Sequence, residues 1–334
     1  MSSVAKNAGV SSATVSRVMS GKHSAIPISR ETREKVMAVA KKMGYQPNLL
    51  AKSLRTRRSL LVGVVLWDLT DPFFSEILRG IEQVLDQHGY NLLLTSAQGA
   101  KEREAVCLEK LMNFRADGIL IVGGTKSVRE DEILELGIDR GTVVLIGTRT
   151  ESMDISSVTV DNVSGGYIGA EYLIRLNRGS LIYIAGEDKT VDMEDRLLGV
   201  RKAVAKHGFQ DRFSVIEAGP GEQEGYEISR QILKGARLPL SVFCVSDLTA
   251  LGTIRAARDN NLEIPRDVSI LGFDDLSIAN FLEPRLSTVH QPRLQMGRSG
   301  GELLVALINR TTEQSPDKPT HEVLSPRLMV REST

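Results

Sequence analysis

The sequence predicts an α/β protein in two parts: a small all-α head at the N-terminus and a larger two-lobed body of parallel sheets flanked by helices. Three observations carry this. Charge is divided, since residues 1–60 hold twelve Lys or Arg against two Glu (+10), which leaves 30 basic and 40 acidic side chains (−10) in the rest. Three short helical patterns fill the first 45 residues, and beyond residue 60 aliphatic runs of strand length alternate with amphipathic stretches of helix length. Repeated βα units imply parallel sheets covered on both faces.

At 334 residues the chain exceeds one ordinary core, at about 150 residues per domain. With aromatics at only 4%, the cores must be aliphatic. Cys107 and Cys244 lie in apolar stretches and read as buried thiols of a reducing compartment, not a disulfide framework. The first residues lack the apolar region and cleavage site of a secretory signal, and runs such as LLVGVVL fall far short of a membrane span. The expected location is cytoplasmic, with no membrane partner.

In the head, Val4, Ala5 and Ala8 share one face of a helix that stops at Gly9, a residue suited to a left-handed turn. Ser11 and Ser12 offer cap oxygens to a second helix, SATVSRVMSG, whose Val15, Val18 and Met19 face inward. A third, RETREKVMAVAKKMG, turns Val36, Val39, Ala40 and Met43 inward. Two helices joined by a tight AGVS turn and backed by a third match a helix-turn-helix, although a generic three-helix bundle satisfies the same pattern. The outward face of the second helix is small (Ser12, Ala13, Ser16) with one long donor, Arg17. Small residues permit close approach in a major groove, and Arg can grip guanine with two hydrogen bonds. Ser11 and Thr14 are candidates for phosphate contacts. On charge alone, a solvated basic face fits equally well.

The segments VAKNAGVSSATVSRVMSGK, ISRETREKV, MGYQPNLLAKSLRTRRS and LVGVV choose between these readings. In order and spacing they resemble the lactose-repressor/galactose-repressor (LacI/GalR) family, from Val4 to about Arg331. The family pattern usually begins a few residues earlier, commonly with an aspartate just ahead of VA; a weaker first cap or a native start upstream is expected. The loop SGKHSAIPIS is also two or three residues longer than usual, with Lys22 and His23 near the phosphates or in solvent.

The resemblance implies a sequence-specific, ligand-responsive transcription regulator, expected to be a repressor of double-stranded operator DNA, acting as a homodimer. The chain ends near MVREST without a leucine-heptad tail, which favours a dimer over a tetramer. Residues 47–59 would be a hinge, too short for an isolated helix to be stable in water. By the resemblance it folds on DNA beside its dimer mate. Leu54 would then wedge between central base pairs, with Ala51 packed beside it and Asn48, Arg55, Arg57 and Arg58 near the backbone. An ordinary linker is the alternative.

Expected boundaries are 1–46 for the head, 47–59 for the hinge, 60–160 for the N-terminal lobe and 161–334 for the C-terminal lobe. The chain would cross between lobes near 161, 291 and 322. The family's body resembles periplasmic sugar-binding proteins, whose ligand sits between lobes, outside the C-terminal strand ends. Motif matches carry effector positions onto Asp71, Phe73 and Phe74 in TDPFF, Asp192 and Arg196 in DMEDRLLGV, Ser246, Asp274 in LGFDD, and Gln291. The expected effector is a sugar or sugar derivative. Simpler roles remain open: Asp71 and Asp247 as helix caps, Phe73 and Phe74 as core. Pro220 stands where several sugar and purine sensors carry a stacking aromatic, and Gly147 replaces an acidic residue of some sugar sensors. Arg149 beside it raises an acidic effector as an alternative.

No cofactor, metal site or catalytic activity is expected. The five histidines are scattered without ligand spacing. GRSGG at 297–301 copies a nucleophile elbow in letters but opens no strand-to-helix turn, and GPGEQEG would repel phosphate with its two glutamates. The competing function is a cytoplasmic sugar-binding protein without DNA-binding activity, against which the basic head argues.

Overall fold

The computed structural model describes residues 1–20, 28–45, 58–124, 133, 138–150, 152–187, 190–219, 221–310 and 318–334. The expectations for Lys22 and His23, for Asn48, Ala51, Leu54 and Arg55, and for Pro220 lie outside the described residues. The chain divides into two compact units, Met1–Leu60 and Leu61–Thr334.

The first unit holds α1 (Ser2–Ala8), α2 (Ser12–Ser20) and α3 (Arg30–Lys42). Gly9, at φ +66°, closes α1 in the left-handed conformation that glycine adopts without penalty. Met1 precedes α1 without a side-chain cap. Val4, Ala8, Val15, Val18, Val36 and Ala40 form a small shared core. Met43 differs from expectation: α3 ends at Lys42, so Met43 falls past the last turn and is exposed.

The second unit opens with β1 (Leu61–Leu66), α4 (Phe73–His88), β2 (Asn91–Ser96), α5 (Lys101–Asn113), β3 (Gly118–Val122), β4 (Val143–Ile146) and β5 (Ser156–Val160). Next come α6 (Asn162–Leu176), β6 (Ser180–Gly186), α7 (Val191–Lys206), β7 (Phe213–Ala218) and α8 (Glu222–Leu233). The chain continues through β8 (Leu240–Cys244), α9 (Asp247–Asp259), β9 (Val268–Asp274), β10 (Ser287–His290) and α10 (Arg293–Ile308). It finishes with β11 (His321–Leu324) and β12 (Arg327–Met329).

Two six-stranded sheets result, ordered β11-β5-β4-β3-β1-β2 and β12-β10-β9-β8-β6-β7. Every pairing is parallel except β10 with β12. The central strands are buried along their length, as parallel strands covered on both faces must be. The chain leaves the first sheet after β5, returns after β10 so that α10 packs on α4, and leaves again after β11. Glu322 lies within β11, so the third passage falls at Ser325–Pro326, a few residues beyond the expected point.

Three helix pairs approach so closely that a methyl group would strike backbone. A Cβ on Gly80 would lie 2.4 Å from the Leu294 carbonyl oxygen, and one on Gly297 2.0 Å from that of Ile77, joining α4 to α10. Gly166 and Gly199 would meet the carbonyl oxygens of Arg196 and Val163 at 2.0 Å, joining α6 to α7, and Gly225 and Gly252 serve α8 and α9 alike. Thus Gly297 of GRSGG and Gly225 of GPGEQEG are packing devices, and Ser299 sits inside α10, donating to Glu322 Oε1 at 3.1 Å. Gly166→Ala is expected to cost about 1–3 kcal/mol or more, because backbone cannot move aside as a side chain can. Chemical denaturation would read this as a lower midpoint with an unchanged slope.

Candidate functional site

The C-terminal strand ends of both sheets open onto one cleft of about 120 Å³. From the first lobe come Trp67, just past β1, then Asp71, Phe73 and Phe74 at the start of α4, and the glycines at 123, 124 and 147. From the second come Thr190, Asp192, Met193 and Arg196 of the α7 N-terminus, Ser246 and Leu248 of the α9 N-terminus, and Asp274, the last residue of β9. Seven of the eight positions taken from the family resemblance therefore line one cavity. The eighth, Gln291, stands behind Asp274: it is fully buried and its Nε2 donates to Asp274 Oδ1 at 2.7 Å.

Arg196 is fixed on three sides. Its Nε donates to Asn162 Oδ1 at 2.8 Å, its Nη1 donates to the Val245 carbonyl at 2.8 Å, and its guanidinium stacks 3.9 Å from the centre of the Phe273 ring. Nη1 also lies 3.9 Å from Asp274 Oδ1, both side chains being almost wholly buried. Asp274 has φ +115°, a conformation that an L residue holds only when its surroundings impose it. Asp247, fully buried, supplies part of that constraint by accepting from Leu276 N at 2.7 Å and from the Thr288 hydroxyl.

Among the described residues, three carboxylates share this space with one lining guanidinium. Burial pushes Asp192 up to about 6, against the pull of Arg196. Burial likewise pushes Asp274 up to about 6 and raises Asp71. Asp247 is raised well above the usual range by burial and then by the charge of Asp274. Asp192 Oδ1 and Gln291 Oε1 are buried with no hydrogen-bond partner among the described residues. Such acceptors are costly unless something donates to them. A carboxyl raised above its unfolded value contributes stability below that value and loses the contribution as pH rises through the folded one. The melting temperature of the free protein is therefore expected to fall as pH rises from about 4 through about 6, where Asp192 and Asp274 ionise, readable by differential scanning calorimetry.

Some simpler readings also describe what is seen. Asp71 Oδ1 accepts from Phe73 N at 2.8 Å at the start of α4, and Phe74 is buried while Phe73 is half-exposed to the cleft. Ser246, not Asp247, caps α9, accepting from Thr249 N at 3.0 Å. Arg149 is engaged across the lobes with Asp195 at 2.8 Å and does not line the cleft, which removes the ground for an acidic effector. Trp67, Thr190 and Leu248 escaped the reading of the sequence. Trp67 was findable, because it follows a buried parallel strand at its C-terminal end, where ligand loops gather.

On the head, Ser11, Ser12, Ala13 and Arg17 are exposed and Thr14 is half-buried. The Ser11 oxygen accepts from Thr14 N at 3.1 Å and pairs with the Thr14 hydroxyl at 2.9 Å, so both side chains serve the α2 cap. That leaves Ser12, Ala13 and Arg17 as the outward face of α2. Among the described residues there is no group of three potential metal ligands and no helix long and apolar enough to cross a membrane.

A helix-turn-helix unit joined to a two-lobed body with a polar cleft defines a class, that of DNA-binding regulators built on a ligand-binding fold. Comparison with known proteins agrees. The model for bacterial regulatory proteins of the lacI family matches residues 1–48, and that for a periplasmic binding protein-like domain matches 170–334. The HTH-type transcriptional regulator RegA of Clostridium saccharobutylicum is 36% identical over 99% of this chain and 98% of its own. A transcriptional regulator CelR–cellobiose complex superposes with a TM-score of 0.72 at 30% identity, covering 99% of this chain and 98% of that one. The Lac repressor dimer bound to operator and the anti-inducer ONPF gives 0.85 at 25% identity, covering 99% and 97%. The chain belongs to the lacI family of bacterial regulatory proteins. It is a transcription regulator, not an enzyme.

Proposed function

We propose that this regulator is a cytoplasmic homodimeric repressor whose affinity for double-stranded operator DNA is set by a sugar or sugar derivative bound between its lobes. The observation that carries the effector reading is the excess of buried acceptors. Within the cleft Asp192 Oδ1 lacks a donor, and Asp71 and Asp274 lie within the same small space. Adjacent hydroxyl groups supply donors in that density, and the cellobiose of the CelR complex is of that chemistry. Asp71, Phe73, Phe74, Asp192, Arg196, Ser246 and Asp274 are the contact residues in this reading, with Gln291 orienting Asp274.

On the DNA side, Ser12, Ala13 and Arg17 face the major groove while Asn48, Ala51, Leu54 and Arg55 form the hinge that enters the minor groove. Ligand then acts by favouring one lobe arrangement over another, which changes whether both heads of a dimer reach adjacent half-sites. Leu54→Ala should weaken operator binding by roughly tenfold or more, since the wedge sustains the bend, while leaving nonspecific binding nearly intact. Titrations on operator and on scrambled DNA at equal salt check this.

A mobility-shift assay on operator DNA with a panel of sugars tests the proposal as a whole. One sugar should change the shift at sub-millimolar concentration. A panel without effect, on protein that still binds DNA, would remove the sugar as effector. Affinity should also follow pH. Hydroxyls that donate to an ionised carboxylate favour its charged form, so binding is expected to weaken as pH falls through about 6, where Asp192 and Asp274 take up protons. Calorimetry at pH 6 in two buffers of different ionisation enthalpy should show proton release on binding.

A further inference from the structure

We propose that Trp67 is the platform on which the apolar face of a cyclic sugar rests, with the hydroxyl edge of that ring turned toward the opposite lobe. The inference builds on the sugar reading above and adds an orientation and a ligand shape to it. The two walls of the cleft are unlike. Among the described residues, the first lobe presents Trp67, Phe73, Phe74 and bare glycine backbone, with Asp71 its one charged side chain, whereas the second presents Thr190, Asp192, Arg196, Ser246 and Asp274 beside the apolar Met193 and Leu248. A ligand that fills the space must match that division, apolar on one side and rich in donors on the other.

Among these three aromatics, Trp67 is the one least engaged by other rings and cations. Phe74 lines the cleft but is only 6% exposed, so it offers little surface. Phe73 meets Phe74 edge-on at 5.2 Å and lies under the Arg293 guanidinium at 6.0 Å. The Trp67 ring is half-buried, and among the described residues no aromatic or cationic side chain packs against it.

Its backbone is held from both sides: Trp67 N donates to the Val122 carbonyl at 3.0 Å, and the Trp67 carbonyl accepts from Gly99 N at 2.9 Å. Room for it is reserved as well. A Cβ at Gly123, where φ is +73°, would fall 2.8 Å from the Phe74 ring and 3.0 Å from Trp67 Cβ. A half-buried aromatic on a fixed backbone at the end of a parallel strand, opposite a wall of acceptors, is suited to take the C–H face of a ring. An open-chain polyol presents no such face and loses rotamer freedom on binding.

Trp67 is the chain's one tryptophan, so the protein carries its own probe. Calorimetry on the full chain with D-glucose, D-ribose and cellobiose, and with open-chain sorbitol and ribitol, identifies which probes bind. Intrinsic emission is then followed for each. The expected result is binding of at least one cyclic probe, a change in tryptophan emission on saturation, and no binding of its open-chain counterpart. Trp67→Ala should lower affinity by roughly tenfold or more, and Trp67→Phe should retain most of it, since a smaller ring still presents a face. A cyclic sugar that binds without moving the emission, or that binds Trp67→Ala as tightly as the parent, overturns the platform and leaves the sugar reading standing. If no sugar binds at all, both fall together.

Discussion

Replacing Arg196 by methionine is expected to abolish the response to effector and to lower the unfolding free energy by about 3–5 kcal/mol, the range for breaking a buried ion pair from one side. The loss has three parts. Asn162 Oδ1 and the Val245 carbonyl lose their donor, Phe273 loses the cation above its ring, and Asp274 is left buried without its guanidinium. The last part depends on protonation. Burial already pushes Asp274 up to about 6, so below that pH the carboxyl is largely neutral and the penalty should shrink. The destabilisation is therefore expected to be larger at pH 8 than at pH 5. Urea denaturation at the two pH values reads the difference, and calorimetry reads the lost effector binding. Equal destabilisation at both would mean that Asp274 does not depend on Arg196 for its charge.

Arg17→Ala is the second large effect expected. Within the outward face of α2, Ser12 and Ala13 are short, and Ser11 and Thr14 are occupied with the helix cap, so Arg17 is the one long side chain among these positions. One bidentate contact with guanine is worth about 1–3 kcal/mol of discrimination, and a symmetric dimer loses it twice. Operator affinity should fall by roughly two orders of magnitude, and preference at one base pair in each half-site should relax. Loss of a mere phosphate contact would instead weaken all sequences equally. Binding to operators mutated at single positions separates the two outcomes.

Much of this was legible in the sequence because the signals are long or local. The aliphatic runs that became β1, β3, β6, β8 and β9 are buried on both faces, and composition alone betrays such strands. Gly9 and the serines after it announced the turn between α1 and α2. The short strands β10, β11 and β12 left no pattern, since three or four residues cannot establish a period, and their pairing is decided by the sheets they join. Met43 was misjudged for a related reason: helical spacing says which face a residue takes only while the helix lasts.

The cleft was legible through the family resemblance more than through physics. The i,i+4 spacing of Asp192 and Arg196 places both on one face of α7, but nothing local says that Asp274 meets them, because contacts between α7 and the end of β9 are set by the order of strands in the sheet. The partners that fix Arg196 were invisible for the same reason: Asn162 and the Val245 carbonyl are separated from it by 34 and 49 positions. The inter-lobe pairing of Arg149 with Asp195 shows how a charge placed near a cleft by sequence can be committed elsewhere by geometry.

The central claim is that the cleft and the DNA-reading head are coupled, and coupling is reciprocal. Its most direct test begins by selecting high-affinity sites from a pool of random duplexes. Operator affinity is then measured with and without the effective sugar, and sugar affinity with and without operator. The selected pool should be enriched in a site with two related half-sites, and operator binding should change sugar affinity by the same factor that the sugar imposes on operator affinity. Identical sugar affinities for free and operator-bound protein would contradict the coupling.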